Sequence, residues 1–372
     1  MRIPRRITQS VSAAIVTVSA VTLQPLGSAS SLSFGGLEDG YHVDYLLSDG
    51  TIATRQVDPE FRNGWGLAAS GTGPWWVAVN EIDSAAVVDE NGTVQGLHVS
   101  LSGPPTGIVH WNGDGFAVTD GTNSGPSRFL FALESGKIVG WNPSVGPPAP
   151  EQEAFVGVDR SSDGAVYKGL AVARTLDGPR LMATDFHNAR VDVFDENFKP
   201  VTKPDAFATP RVPPGFAPFG IQTLAGRVFV SYAKQDPEKM DEVAGQGLGM
   251  LAAFDTDGVF LGEVAIRGAL DAPWGMALAP AAGFGAASGK LLVGNFGDGT
   301  IATFRMTDDF NRLTPDGVLR DASHRPIRID GLWGIAFGNG GEAGSPDSLY
   351  FAAGPSGESH GSFGRITLES GP

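Results

Sequence analysis

A chain of 372 residues with 52 glycines and 26 prolines is rich in turns and poor in long helical segments, yet its 41% hydrophobic content suffices for a substantial core. Its formal charge of −15 argues against nucleic acid and anionic membranes as partners, because phosphate neutralisation needs basic clusters. The lack of cysteine excludes disulfides, thiol chemistry and thiolate metal sites.

The first segment differs from the rest. Arg2, Arg5 and Arg6 form a basic head, an apolar stretch runs from Val11 to Leu23, and the small residues Gly27 to Ser30 follow. That order predicts a signal peptide over residues 1–29 and a protein that is secreted, extracellular or periplasmic. Ser12, Thr17, Ser19 and Thr22 interrupt the apolar stretch and Gln24 ends it, and it is also shorter than a bilayer requires, so no membrane span is expected in the mature chain. The Arg5-Arg6 pair points to a twin-arginine route, but Ile7-Thr8-Gln9 is a poor continuation of it, and the export route stays open. Cleavage would remove three arginines and no acid, taking the charge from −15 to −18.

After a linker at 30–40, the segment Tyr41–Leu47 reads as a strand that stops at the Asp49-Gly50 turn. Six repeats follow, each opening on an apolar strand with a glycine: Gly66, Gly107, Gly169, Gly220, Gly275 and Gly334. In the second repeat, Phe116–Asp120 and Arg128–Leu133 read as the next two strands; in the third, Leu181–Thr184 and Val191–Phe194 flank a polar turn. The glycine spacing of 41 to 62 residues fits one propeller blade plus insertions. An all-β, six-bladed β-propeller over 41–369 is therefore expected, with a glycine wherever backbones crowd the central channel. The last repeat lacks a fourth strand, and Tyr41–Leu47 can supply it and close the ring. A β-sandwich is the rival architecture, but its strands would not share the marker glycine.

Parity in an up-and-down blade puts the connection between strands two and three at the same end as the link to the next blade. The residues expected to close the second strands are Asn80, Asp120, Asp185, Tyr232, Asn295 and Ala353. The inserts Gly121–Ser127, Ala233–Gly249 and Gly354–Phe363 are expected at that same end, bringing Gln235, Asp236, Asp241, Glu242 and His360. Such an oxygen-rich rim suits a small polar ligand, with Asn188 and Asp298 as further contacts, or Ca²⁺ held by Asn80, Asp120, Asp185 and Asn295. Asn and Asp at strand ends also simply start turns. His187 and His360 are the candidates for proton transfer. The glycine-rich Gly294–Gly299 joins two strands and lacks the helix and lysine of a phosphate loop.

The segments W-G-L-A-A-S-G-T-G-P-W-W-V-A (Trp65–Ala78), A-V-Y-K-G-L-A-V (Ala165–Val172), A-T-D-F-H-N-A-R-V-D-V-F-D (Ala183–Asp195), A-P-F-G-I-Q (Ala217–Gln222), L-L-V-G-N-F-G-D-G (Leu291–Gly299) and L-W-G-I-A-F-G-N-G (Leu332–Gly340) resemble a family of uncharacterised exported proteins. The resemblance runs from about Tyr41 to Leu368, with Gly64 and the Asn80–Asp83 turn departing from the family pattern. More distantly the repeat is similar to NHL-type six-bladed propellers, which serve both as binding scaffolds and as enzymes. Two functions follow as expectations. One is a secreted binding module that presents its loop-rich face to an extracellular partner or a small polar ligand. The other is a calcium-dependent hydrolase similar to the propeller lactonases.

Overall fold

Each repeat folds as one sheet of antiparallel blade strands, with Gln56–Val57 and Glu151–Glu153 added in parallel at the edges of blades 6 and 1, and the six sheets form a closed ring of six blades. The computed structural model describes residues 40–266, 268–307 and 312–369; the expected signal peptide lies outside them. Blade 1 runs Gly64–Ala69, Trp75–Val79, Ser84–Val88 and Val94–Ser100. Blade 2 runs Pro105–His110, Phe129–Leu133, Lys137–Trp141 and Phe155–Asp159. Blade 3 has three strands, Tyr167–Thr175, Gly178–Asp185 and Arg190–Phe194, its outer edge reduced to a bridge between Phe194 and Pro200. Blade 4 runs Phe216–Leu224, Arg227–Lys234, Gly249–Phe254 and Phe260–Ile266; blade 5 runs Pro273–Leu278, Leu291–Asn295, Ile301–Met306 and Leu313–Val318.

Blade 6 shows how the ring closes. Its own strands are Leu332–Phe337, Leu349–Ala353 and Ser362–Leu368, and the fourth is Tyr41–Ser48 from the other end of the chain. The two edge strands pair antiparallel from Tyr41↔Leu368 to Ser48↔Ser362, as expected from the sequence. Among the described residues no helix is long and apolar enough to cross a membrane.

Six apolar clusters lie between consecutive blades and a seventh on the axis. Between blades 1 and 2, for example, Trp76 stacks on Phe129 with ring centroids 4.2 Å apart. Strand alternation produces this arrangement: each sheet sends one face to each neighbouring blade, so both faces are apolar.

One assignment in blade 2 differs from the sequence reading. Phe129–Leu133 is the second strand, while Phe116–Asp120 lies in a long insertion between the first and second strands. That insertion carries its own hairpin, Ala117–Thr119 paired with Ser124–Pro126. Asp120 and the Gly121–Ser127 insert therefore sit at the opposite end of the ring from the strand-two-to-three loops. The cause is Phe116, which is fully buried against Trp111 and Phe198 and so reads as a blade strand in the sequence.

Candidate functional site

The inner strands all start at one mouth of the central channel, and the loops after the second strands gather around it. The residue just before each marker glycine is Trp65, Thr106, Lys168, Phe219, Trp274 or Trp333. Five of these fit an apolar axis; Lys168 does not, and it is only 1% exposed. Its ammonium reaches two carboxylates from different blades. Lys168 Nζ donates to Glu134 Oε1 at 2.5 Å and to Asp241 Oδ1 at 2.8 Å. Glu134 follows the second strand of blade 2, and Asp241 lies in the equivalent, longer loop of blade 4.

The network continues around the mouth. Asn80 Nδ2 donates to Glu134 Oε2 at 3.0 Å and to the Pro105 carbonyl at 3.2 Å. Asn63 Nδ2 donates to Asn80 Oδ1 at 3.2 Å and to Glu358 Oε2 at 2.9 Å. Trp333 Nε1 donates in turn to Asn63 Oδ1 at 3.1 Å. The result is an unbroken arc, Glu358–Asn63–Asn80–Glu134–Lys168–Asp241, drawn from blades 6, 1, 2, 3 and 4. Glu242, next to Asp241, is half-buried beside it.

The floor of the mouth is aromatic. Trp65 stacks on Trp333 at 3.8 Å and Phe296 on Trp333 at 3.9 Å, while Trp274 packs edge-on against Trp65 and Trp333. Trp274 Nε1 is used by the Lys168 carbonyl at 2.8 Å. Lys168 Nζ lies 5.2 Å from the Trp65 ring centroid, within cation–π range. The Trp65 Nε1–H, by contrast, is buried and has no acceptor within the described protein.

Charge crowding shapes this site. Burial pushes the Glu242 carboxyl up to about 7, with the nearby Glu358 and Asp241 charges adding to it against the pull of Lys168. Glu358 is also raised, again chiefly by burial. Burial alone would lower Lys168, but Glu134, Asp241 and Glu242 outweigh it and hold the ammonium charged. Four carboxylates thus surround one cation.

The sequence candidates divide accordingly. Asn80 belongs to the arc, and Asp241 and Glu242 came with the expected blade 4 insert. Asp185 is fully buried and organises a turn instead: it accepts the Val166 and Asn188 main-chain N–H groups at 3.2 Å and the Asn188 side chain at 2.8 Å, and pairs with Arg190 at 3.3 Å. Asn295 holds the chain around it, accepting from the Asp271 N–H at 3.0 Å and donating to the Ala269 carbonyl at 2.7 Å. Asp298 caps Thr300 and pairs with Arg328. Asp120 accepts the Thr122, Asn123 and Gly146 N–H groups, which lower its pKa, at the far end of the ring. The proposed calcium ligands Asn80, Asp120, Asp185 and Asn295 therefore share no partner and no common centre, because one lies at the opposite end and two are consumed by turns. Among the described residues no group of three His, Asp or Glu is placed to hold a metal ion.

The two histidines also stand apart. His360 Nδ1 pairs with Asp49 Oδ2 at 2.7 Å, and His187 leaves its Nδ1 buried without a partner. Sequence reasoning missed Asn63, Glu134, Lys168 and Glu358. The available signal was a lysine at an axial position that five other blades fill with Trp, Phe or Thr.

The chain matches no family model. It is 31% identical over 309 residues to "Uncharacterized protein R648" of Acanthamoeba polyphaga mimivirus, covering 80% of this chain and 73% of that protein. "Uncharacterized protein L690" of the same virus is 31% identical over 308 residues, covering 80% and 78%. The chain belongs to the family of these mimivirus proteins. Among solved structures, the soluble aldose sugar dehydrogenase (Asd) of Escherichia coli in its apo-form superposes with a TM-score of 0.54 at 10% identity, over 88% of this chain and all of that one. A glucose dehydrogenase gives 0.52 at 12% identity, over 89% of this chain and all of that one. At such identities the likeness shows the propeller fold and nothing of the chemistry.

Proposed function

We propose that the protein is a secreted binding module that takes a small polar ligand bearing a positively charged nitrogen at the carboxylate-lined channel mouth. The observation that carries this reading is the arc itself: Glu134, Asp241, Glu242 and Glu358 converge from three blades on the single ammonium of Lys168. An ammonium or guanidinium ligand relieves the remaining like-charge crowding by taking the carboxylates that Lys168 leaves under-compensated. The buried Trp65 N–H offers a donor for a neutral oxygen on the same ligand. Secretion, and membership in the exported family that the sequence resembles, form part of this proposal; finding the chain retained inside the producing cell with residues 1–29 still attached would remove it.

Titration calorimetry with spermidine tests the binding reading, with glucose and glutamate as neutral and anionic controls. Spermidine is expected to bind while neither control does. Its affinity should rise by at least threefold from pH 6 to pH 8, as Glu242 ionises, and the rise should vanish in Glu242→Gln. Equal binding of glucose and spermidine, or an affinity for spermidine unchanged by Glu242→Gln together with Glu358→Gln, would sink the assignment.

A further inference from the structure

The opposite end of the channel has a different character. There the C-terminal halves of the inner strands of blades 1, 2, 3, 4 and 6 line an open cavity of about 320 Å³. This lies at the lower end of the volume range of small-molecule sites. Its walls are apolar over much of their area, formed by residues such as Leu67, Ile108, Val172 and Phe337, and no Asp, Glu, Lys or Arg lines it. The cavity narrows inward. Toward the axis, Gly66, Gly107, Gly275 and Gly334 leave only about 30 Å³ before Trp274, beyond which the tryptophan floor of the acidic mouth begins.

Three polar side chains on this wall have hydrogen-bonding capacity that the described protein does not use. The Thr223 hydroxyl is buried with no partner. The Gln222 amide and the His110 imidazole line the same cavity, both half-buried, and among the described residues neither side chain has a hydrogen-bond partner. Burial, with Arg128 nearby, lowers the His110 pKa and keeps its ring neutral at physiological pH, so it offers one donor and one acceptor. Asn339, the remaining polar group on the wall, is fully occupied: its amide donates to the Ser70 and Gly73 carbonyls at 2.7 and 2.8 Å and accepts from Gly341 and Ala343.

An uncharged cavity that mixes apolar side chains with unspent neutral donors and acceptors selects against ions. A charged ligand would lose its hydration there and find no counter-charge. A purely aliphatic one would leave Gln222 and His110 unsatisfied. From these observations we propose a second ligand site at this end of the channel, which takes a small neutral molecule with an aromatic body and one hydroxyl group, a phenol. The ring would seat among Leu67, Ile108, Val172 and Phe337, and the hydroxyl would meet the Gln222 and His110 side chains. This site is independent of the cation reading for the acidic mouth.

The probe is 4-methylphenol, neutral at pH 7, with toluene as its hydroxyl-free counterpart. Calorimetric titration of the full chain is expected to show saturable 4-methylphenol binding at one site, at least tenfold tighter than toluene. Val172→Trp, which fills the cavity from a half-buried position, should abolish binding of both. Gln222→Leu should weaken 4-methylphenol about tenfold and leave toluene unchanged. Thermal melts and far-ultraviolet spectra of the same variants report whether the propeller remains folded, whatever the acidic mouth binds. A flat 4-methylphenol titration of the native protein overturns the proposal, and so does binding that survives Val172→Trp in a variant that melts like the native protein.

Discussion

Glu242 is the residue whose ionisation the fold resists most openly. Its carboxyl faces Asp241 on its own loop, Lys168 on the inner strand of blade 3 and Glu358 on blade 6, in a place where burial already disfavours charge. A carboxylate whose folded pKa is raised to about 7 binds a proton more tightly folded than unfolded. Its stabilising contribution is therefore complete below the unfolded pKa, near 4.3, and is lost as pH rises through 7. One pKa unit is worth about 1.4 kcal/mol, so the loss between pH 5 and pH 8 is on the order of 3 kcal/mol. Thermal melts should accordingly drop in midpoint over that window, and Glu242→Gln should flatten the drop; a native melt that rises from pH 5 to pH 8 with the variant following it would contradict this account. The sequence placed Glu242 and its loop at this mouth, but not its meeting with Glu358 and Lys168. Glu134, Glu242 and Glu358 are 224 positions apart from first to last and meet only because the ring brings equivalent loops to one mouth. Lys168 alone broke a pattern that the sequence displays.

At the scale of the strand, the marker glycines explain why the repeats could be read at all. A methyl built on Gly66 would come within 2.5 Å of the Thr106 carbonyl oxygen, on Gly169 within 2.8 Å of the Phe219 oxygen, and on Gly334 within 2.6 Å of the Trp65 oxygen. Gly107, Gly220 and Gly275 meet Leu170, Trp274 and Trp333 in the same way, so each inner strand is packed backbone-to-backbone on the next, and the last returns to the first. None of the six has a positive φ, so the constraint is space rather than backbone angle. Gly220→Ala is thus expected to destabilise the fold by about 2–3 kcal/mol through overpacking. Gly96→Ala, in an outer strand of blade 1 with nothing within 4 Å of its added carbon, should change stability by less than ~1 kcal/mol, and in the stabilising direction. Chemical denaturation of the two variants checks this, and equal losses would show that axial crowding is not what fixes the glycines. The same logic locates the one misread element. Phe116–Asp120 satisfies strand periodicity, but only Phe129–Leu133 is adjacent to the glycine-bearing Pro105–His110, and that adjacency has no signature in local pattern.

For the whole propeller, closure is the step that converts six sheets into one cooperative body, and it depends on eight residues from the start of the described chain. Tyr41–Ser48 covers the edge of Ser362–Leu368, and its Arg365–Asp44–Arg55 ion pairs, at 3.2 and 2.7 Å, add a charged rim to the seam. Tyr41 also fastens blade 6 to blade 5: its hydroxyl donates to the Phe284 carbonyl at 3.0 Å and accepts from the Ala287 N–H at 3.1 Å. Leu46 and Leu47, both fully buried, fill the cluster between blades 6 and 1. A chain that starts after Gly50 loses these contacts together and leaves Ser362–Leu368 as a bare edge whose main-chain groups invite pairing with another molecule. Blades 1 to 5 keep every one of their own strands, so local sheet structure should survive while the ring fails to seal. The expected outcome is a shortened protein that elutes as higher oligomers or aggregates in light-scattering chromatography, with a far-ultraviolet spectrum still dominated by β-sheet. A synthetic peptide spanning residues 40–50, added during refolding, should restore monomer by supplying the missing strand. A shortened chain that remains monomeric and melts like the full one would show that the inner ring of glycine contacts, not the N-terminal strand, holds the propeller closed.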